Sequence, residues 1–475
     1  MSILNVNKIN PVGSGSTVTI AGIASVTNNI SVGNSVTAGS FVGPIEGAVT
    51  GNVTGNVTGN VTGNVTGNVT GNLTGTASTS TNAATAYAID SAASLNTSGI
   101  VTATTFVPTA GQLSHRNKII NGDFTVHQRG GTIASSNGNY TLDRWRTYRA
   151  GDSTGGFSVQ QSTGSYPQTN ISGVIDNFKA SALITVTSAG SAAANNNCKF
   201  QQRIEGSNVY DLAFGTAAAK KVTVSFYVKC SITGTFGIAL VNGGHNRSNV
   251  QTYTVNSTST WERKIVTFNG DTSGTWNFNT GTGLQLMFDM GSGSDKHTSS
   301  IGTWVSGEKH GTTSSTKLIH TNGATIQYAG VQLEAGPVAT PFEHRSYGEE
   351  LERCQRYYET SYPSGYSAGH NFNDVYPFNT SKPVAQNYIA SDDTLTSISY
   401  PFMVNKRSSP TVTIYSAKDG ASGNAHTYKG SGGTNLNVAL NVIQTREQQM
   451  MLGCSLGAVN QANEMYFHYV ANSEL

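Results

Sequence analysis

The side chains that could do hydrolytic chemistry here are the carboxylates Asp143, Glu205, Asp211, Glu262, Asp271, Asp289 and Glu334. Cutting a glycosidic bond needs two such groups roughly 5–9.5 Å apart across the bond, and no spacing in the chain sets any two of them together. Neither a nucleophile elbow, a zinc-binding H-E-x-x-H pair nor a phosphate loop ending in lysine is read in the chain. The ten histidines are dispersed, and His245, His297, His310 and His320 read as groups that satisfy loops. The four cysteines, Cys198, Cys230, Cys354 and Cys454, contain no CxxC pair and no zinc spacing. Cys198 and Cys230 pair only if adjacent strands bring them together; otherwise all four are buried reduced thiols. The expectation is a chain with no enzymatic activity, no metal and no cofactor.

Recognition chemistry is better supplied. Of the 20 tyrosines, 11 lie between Tyr357 and Tyr469. Tyr362, Tyr366, Tyr376 and Tyr428 fall outside the strand cores, and Lys418, Asp419 and His426 lie in a Gly/Ser/Asn-rich loop, 416–434. Exposed tyrosine offers large contact area at low entropic cost, so these seven residues are expected to bind a receptor. Further back, Tyr253, Trp276 and Trp304 are candidates for stacking on sugar rings, with core packing as the competing reading.

The elements that would position these groups are strands. Residues 114–343 hold all four tryptophans and alternating runs at 182–187, 221–228, 261–268, 283–290 and 324–334, separated by turn clusters. That pattern predicts one antiparallel β-sandwich of jelly-roll type. Residues 343–360 are the one convincing helix, with Tyr347, Leu351, Cys354 and Tyr358 on a single stripe. The stripe packs either on its own domain or against two copies of itself on a threefold axis. Glu349–Arg353 and Glu352–Arg356 are expected i,i+4 pairs. Residues 361–475 form a small C-terminal β-domain, with strands expected at 410–415, 435–443 and 464–470.

The N-terminal quarter is different. Residues 51–70 read Gly-Asn-Val-Thr five times, and residues 1–113 contain only three charged side chains, Lys8, Glu46 and Asp90. At strand pitch Val53, Val57, Val61, Val65 and Val69 share one face. A lone ribbon cannot offset an ordering cost of about 1–2 kcal/mol per residue, so copies of the chain must bury the stripe together. A disordered tether and a stalk glycosylated at the Asn-x-Thr triplets compete with that reading. The stalk would need a secretory leader, which is not read at the N-terminus. Only 11% of residues are charged and the net charge is +2, which offers nucleic acid nothing to bind. No apolar run is long enough to span a membrane.

Several motifs resemble a known family. Leu113–Phe124, His127-Gln128-Arg129-Gly130 and Tyr140–Trp145 look like the opening of bacteriophage tail-fibre domains. Val331-Gln332-Leu333-Glu334, Ala339–Arg345 and Leu351–Tyr358 are similar to the close of the same domain, and 409–415 and 467–475 to its distal part. The repeat and 98–108 resemble shafts of fibres from marine cyanobacterial phages. The resemblance implies an all-β, elongated homotrimeric virion protein. Its N-terminus would attach to the phage tail, baseplate or an adaptor protein, and its C-terminus would point at the host. There it would meet a bacterial surface glycan or outer-membrane receptor. The segments implied are 1–46 for attachment and β-shaft, 47–75 for the repeat shaft and 76–113 for linker and shaft end. They continue with 114–343 for the sandwich, 344–360 for a helical collar and 361–475 for the receptor-binding tip. Two alternatives remain: a polysaccharide-degrading tail spike, and a fibre whose central sandwich is the carbohydrate-binding module.

Overall fold

The computed structural model describes residues 115–152, 155–167, 177–191, 193–372, 385–388, 396–428, 436–454 and 464–475, apart from a few isolated positions near the N-terminus. The side chains of 385–388, 396, 398, 428, 436 and 464 are outside that description. The repeat with its five valines, the expected shaft and Tyr376 also lie outside the described residues.

Two antiparallel sheets form an all-β sandwich of the expected type. The first orders the strands Ile133–Ala134, Gly156–Ser162, Ser181–Ser188, Thr325–Ala335, Val222–Cys230 and Glu262–Phe268. The second orders Trp304–Ser306, Arg247–Val255, Gly234–Asn242, Thr282–Asp289, Asn197–Glu205, Trp145–Ala150 and Tyr140–Leu142. Period-2 alternation puts Val222, Val224, Phe226 and Val228 of one sheet into the same core as Phe236, Ile238, Leu240, Leu284, Leu286 and Phe288 of the other. Trp145 is fully buried there, stacked 4.9 Å from Phe200, and its indole N–H donates to the Asn121 carbonyl at 2.9 Å. None of the four cysteines forms a disulfide, and all are buried. Cys198 and Cys230 belong to different sheets.

The helix is shorter than the apolar spacing suggests. It runs Tyr347–Gln355, capped by Ser346, whose hydroxyl accepts from Glu349 N–H at 3.3 Å. The chain then turns into the strand Tyr358–Thr360. Most of the stripe packs within its own chain. Cys354 is fully buried with Ile120, Val126 and Tyr357, Leu351 packs on the same cluster, and Tyr358 is buried under the Arg129 guanidinium at 3.6 Å. Only Tyr347 stays open, at 52% exposure. The reason is local: apolar side chains of the 119–126 segment pack on the stripe. The Glu349–Arg353 pair forms at 2.9 Å. Arg356 ignores Glu352 and binds Glu205 at 2.7 Å, where the Tyr357 hydroxyl also donates. Glu205 is almost fully buried, and a desolvated charge gains more from pairing than an exposed one.

The C-terminal β-domain is organised around one long strand, Glu464–Asn472. It pairs with Tyr358–Thr360, Ala385–Tyr388, Thr411–Ser416 and Asn424–Tyr428, and the last of these pairs with Leu436–Ala439. A second sheet holds Thr396–Pro401, Gln449–Cys454 and Asn441–Thr445. Two expectations are corrected here. The loop expected over 416–434 contains a strand at Asn424–Tyr428, and the single strand expected over 435–443 is two, broken at Leu440.

The last residues do not project away from the sandwich. Glu474 pairs with Arg129 at 2.8 Å and with buried Arg144, while the main-chain oxygen of Leu475 accepts from Tyr140 Oη at 2.6 Å and Arg203 at 2.9 Å. Arg144 sits at φ 68° and lies 3.5 Å from the Tyr357 ring centre. The Asp143-Arg144-Trp145 run thus does two jobs. Trp145 anchors the core, and Arg144 fastens residues 474–475 to the sandwich.

Candidate functional site

Five of the expected receptor residues, Tyr362, Tyr366, Lys418, Asp419 and His426, lie on one surface of the C-terminal domain, in two layers. The loop Ser361–Phe372 leaves the strand Tyr358–Thr360 and folds over the central strand. Tyr362 is its root: 4% exposed, stacked on His468 with centroids 4.2 Å apart, its oxygen accepting from Gly369 N–H at 3.1 Å. Burial raises the Tyr362 hydroxyl far above its ordinary pKa. From this root the rings step outward. Phe372 lies 6.1 Å from Tyr362, Tyr366 is 5.2 Å from Phe372, and His370 is 4.7 Å from both Tyr366 and Phe372. Tyr366 is 39% exposed and His370 is also exposed. The result is a ridge of aromatic faces standing on a buried aromatic base.

A polar turn backs this ridge. Gly369 and Gly420 both have left-handed φ, +74° and +72°, and a Cβ on Gly420 would sit 2.2 Å from the Gly369 carbonyl oxygen. Only glycine permits that approach, and it sets Lys418 and Asp419, both exposed, beside the aromatic loop. Asn437 ties the turn to the sheet. Its amide donates to Asp419 at 2.6 Å, and its oxygen accepts from Ser416 at 3.0 Å and lies 3.4 Å from His426 Nδ1. The slight burial of Asp419 opposes ionisation, but hydrogen bonds from Ser416, Ala421 N–H and Asn437 prevail and hold its carboxyl below the usual range. Burial lowers His426, so at neutral pH it is an uncharged support for Asn437.

Two of the expected contacts are therefore foundations. Tyr362 and His426, 4% and 6% exposed, brace the surface from beneath, because their rings pack on the central strand and on Asn437. Tyr366, Lys418 and Asp419 are at the surface. The side chain of Tyr428 lies outside the described residues. Sequence reasoning missed His370, Phe372 and Asn437. The run Tyr362-x3-Tyr366-x3-His370-x-Phe372 would have flagged the first two as ring neighbours in one loop.

The sandwich treats its candidates differently. Tyr253 is a core residue, its hydroxyl 2.7 Å from that of Tyr328, so it offers no face to a sugar. Trp276 is 8% exposed and packs edge-on against Phe214 at 4.8 Å and Trp304 at 5.4 Å. Trp304 is half-buried, its indole N–H donating to the Asn269 carbonyl at 2.8 Å. These three residues fill the sandwich and its rim, as the competing reading had it. A cleft of about 420 Å³ at the sandwich edge is lined by Asp123, Gln161, Phe178, Arg345 and the exposed Tyr347, among others.

The carboxylates considered for hydrolysis are each committed to separate donors. Asp143 accepts from Gln128 twice at 2.7 Å, Glu205 binds Arg356 and Asp211 binds Lys118. Glu262 binds Lys264, Asp271 binds Arg247, Asp289 caps its own turn at Ser292, and Glu334 holds Thr340. Burial raises Asp143 to about 6 against the pull of Arg129 and Gln128. One motif does spell a nucleophile elbow after all: Gly453-Cys454-Ser455-Leu456-Gly457. An elbow needs a strand-to-helix turn. Here Gln449–Cys454 is a strand, Ser455 lies outside the described residues, and the next described element is the strand Glu464–Asn472. Among the described residues no cluster of three or more His, Cys, Asp or Glu is arranged to hold a metal. No described helix is long and apolar enough to cross a membrane.

No protein-family model matches the chain, and no curated protein does. Solved structures similar to it include the enzymatically active domain of tailspike protein 4 from bacteriophage CBA120 (11% identity, 46% of this chain, 21% of that chain, TM-score 0.24). Also similar are a family 11 carbohydrate-binding module from Clostridium thermocellum (10% identity, 46% of this chain, all of that chain, TM-score 0.22) and a putative sugar-binding protein from Bacteroides thetaiotaomicron (10% identity, 46% and all, TM-score 0.25). The match spans about a fifth of the tailspike chain.

Proposed function

We propose that this chain is an adhesive tail-fibre protein of a phage virion, homotrimeric through its N-terminal repeat, whose C-terminal domain binds a glycan on the bacterial surface. The observation that carries the binding role is the ridge of Tyr366, His370 and Phe372 beside Asp419, Lys418 and Asn437. Sugars present apolar C–H faces and equatorial hydroxyls, and that surface offers aromatic planes with a carboxylate, an ammonium and an amide alongside. Each copy contributes a shallow, weak site, and three copies on one fibre multiply weak sites by avidity. The separate commitments of the carboxylates favour binding without cleavage.

The fastest test measures the full chain against a panel of bacterial surface polysaccharides. Saturable binding that Tyr366→Ala weakens about tenfold, the scale of one lost hot-spot contact, supports the reading. Release of reducing ends from any bound polysaccharide would convert the binder into a depolymerase. A light-scattering mass three times the 49.8 kDa of one chain supports the trimer, and a single-chain mass removes it.

A second reading keeps glycan binding but moves it to the sandwich. It is favoured by the 420 Å³ cleft, where Tyr347 stands exposed beside Asp123 and Gln161. Loss of binding on Tyr347→Ala, with Tyr366→Ala silent, would select it.

A further inference from the structure

The outer face of the second sheet gathers cations that neither the core nor the C-terminal surface uses. Strand register sets Arg146 opposite Gln201, Tyr148 opposite Lys199, and Gln285 opposite Arg203. Lys199, Gln201 and Arg203 alternate with core residues, so all three rise from one face. Directly paired residues lie about 4.5–5.5 Å apart at Cβ, and Gln201 therefore sits with basic side chains on three sides. A fourth, Lys296, reaches in from above to Glu308 at 3.2 Å.

The charges do not balance. Glu308 takes Lys199 and Lys296, and lies 3.6 Å from His245. Asp289, across from Lys199, is turned to Ser292 and His310. Neither carboxylate forms an ion pair with Arg146 or Arg203. Arg146 spends its Nε on the Gly138 carbonyl at 2.9 Å, and its buried Nη1 has no partner. Arg203 donates to the Gln285 side-chain oxygen at 3.3 Å and to the Leu475 main-chain oxygen at 2.9 Å. Burial first, then the surrounding cations, pushes the Lys199 ammonium well down and His245 to about 4.

A second observation points the same way. Gln201 is fully buried at the floor of this group, and neither its amide nitrogen nor its oxygen has a hydrogen-bond partner. An amide out of water with nothing to bond destabilises the fold. The orphaned Arg146 donor opposes it directly across the strands. Above them Arg146, Tyr148 and Arg203 are half-buried, and the Arg146 and Lys199 charges lie 5.7 and 4.9 Å from the Tyr148 ring centre.

We propose that this face is a second binding site, which takes an oxyanion, the carboxylate or phosphate group of an acidic saccharide, between Arg146 and Arg203 and above Gln201. The guanidinium forks donate to the anion's oxygens, the Gln201 amide donates from below, and the half-exposed Tyr148 ring offers a plane to the attached sugar. The saccharide part rests on the glycan reading of the C-terminal domain; the oxyanion part does not.

Calorimetric titration of the full chain with inorganic phosphate, trigalacturonate and neutral maltotriose tests both parts. Phosphate and trigalacturonate are expected to bind saturably and more weakly as salt rises, and maltotriose not to bind here. Arg146→Gln should weaken both anions about tenfold, the value of one charge-assisted hydrogen bond. Gln201→Leu should also weaken them while leaving the melting temperature level or higher, because it removes an unpaired buried amide. Tyr366→Ala should change neither. Phosphate binding without trigalacturonate keeps the oxyanion site and overturns the saccharide. Binding by neither anion overturns the site, as does binding that Arg146→Gln and Gln201→Leu both leave intact. Trigalacturonate binding lost only in Tyr366→Ala belongs to the C-terminal surface and overturns this proposal while sparing the other.

Discussion

The sandwich and the C-terminal domain are made of similar strands, yet they dispose of their aromatic residues in opposite ways. In the sandwich, Trp145, Phe200, Phe288, Tyr328 and Tyr253 interlock in one dry core, and even the rim pair Trp276–Trp304 bonds its indole N–H groups internally. The C-terminal domain has a smaller core, centred on Phe467, Tyr469, Met450 and Leu452. It leaves Tyr366 and His370 outside. It also relies on buried charge: Lys406 bonds Glu359 at 2.5 Å with both groups essentially out of water, and the Tyr469 hydroxyl joins them. The sandwich buries charge too, as at Lys199 with Glu308 and Asp289 with His310, but around a far larger apolar core. A small sheet wrapped around one strand needs polar clasps, and what it does not enclose is left open as the surface proposed to bind glycan.

That contrast can be broken most forcefully at its cores. Trp145→Ala should cost about 3–5 kcal/mol and lower the sandwich transition in calorimetry, with little change in any separate transition of the C-terminal domain. Lys406→Met should cost about 3 kcal/mol or more, because Glu359 is left charged and buried, and that loss should appear in the C-terminal domain. If Lys406→Met is nearly neutral, the polar-clasp account of that domain fails.

Acid sharpens the comparison. Burial lowers His310, in the sandwich, from 6.5 to about 4 despite Asp289 beside it. The unfolded imidazole therefore takes its proton first, so the stability tied to neutral His310 is present above pH 6.5 and is lost between 6.5 and 4. Asp143 works in the opposite direction. Its raised value of about 6 means the folded form keeps a proton that the unfolded form gives up, so its contribution is present below 3.8 and gone above about 6. His310→Gln should flatten the melting temperature of the sandwich between pH 7 and 4.5 relative to the parent chain. An unchanged slope would remove His310 as the sensor.

The smallest effect on stability should be the largest on function. Tyr366→Ala, at an exposed ring, should alter stability by less than about 0.5 kcal/mol, measured by denaturant midpoint.

Much of the sandwich was legible because strands with one buried face advertise it by alternation. The runs at 182–187, 221–228 and 261–268 lie within a residue or two of the strands found. The C-terminal domain was harder to read. Asn424–Tyr428 hides among Gly, Ser and Asn because its partners, not its own pattern, make it a strand. The helical stripe was legible in its spacing but not in its partner, since sequence cannot show that Ile120 and Val126 pack against Cys354 and Leu351. Tyr366, Lys418 and Asp419 were readable as surface by loop composition. Tyr362 and His426 were not readable as buried, because contacts more than 100 residues away and across a hairpin, to His468 and Asn437, enclose them. The outer cation cluster depends on register between strands more than 50 residues apart, which no local pattern encodes.

The proposed glycan ridge stands on the C-terminal domain and not in the sandwich-edge cleft at Tyr347. The direct measurement compares polysaccharide binding by the full chain with Tyr366→Ala/His370→Ala and with Tyr347→Ala, all three confirmed folded by their melting temperatures. Binding that falls about tenfold or more in the first variant and is unaltered in the second is the expected result. Binding retained by the first and lost by the second would contradict the account.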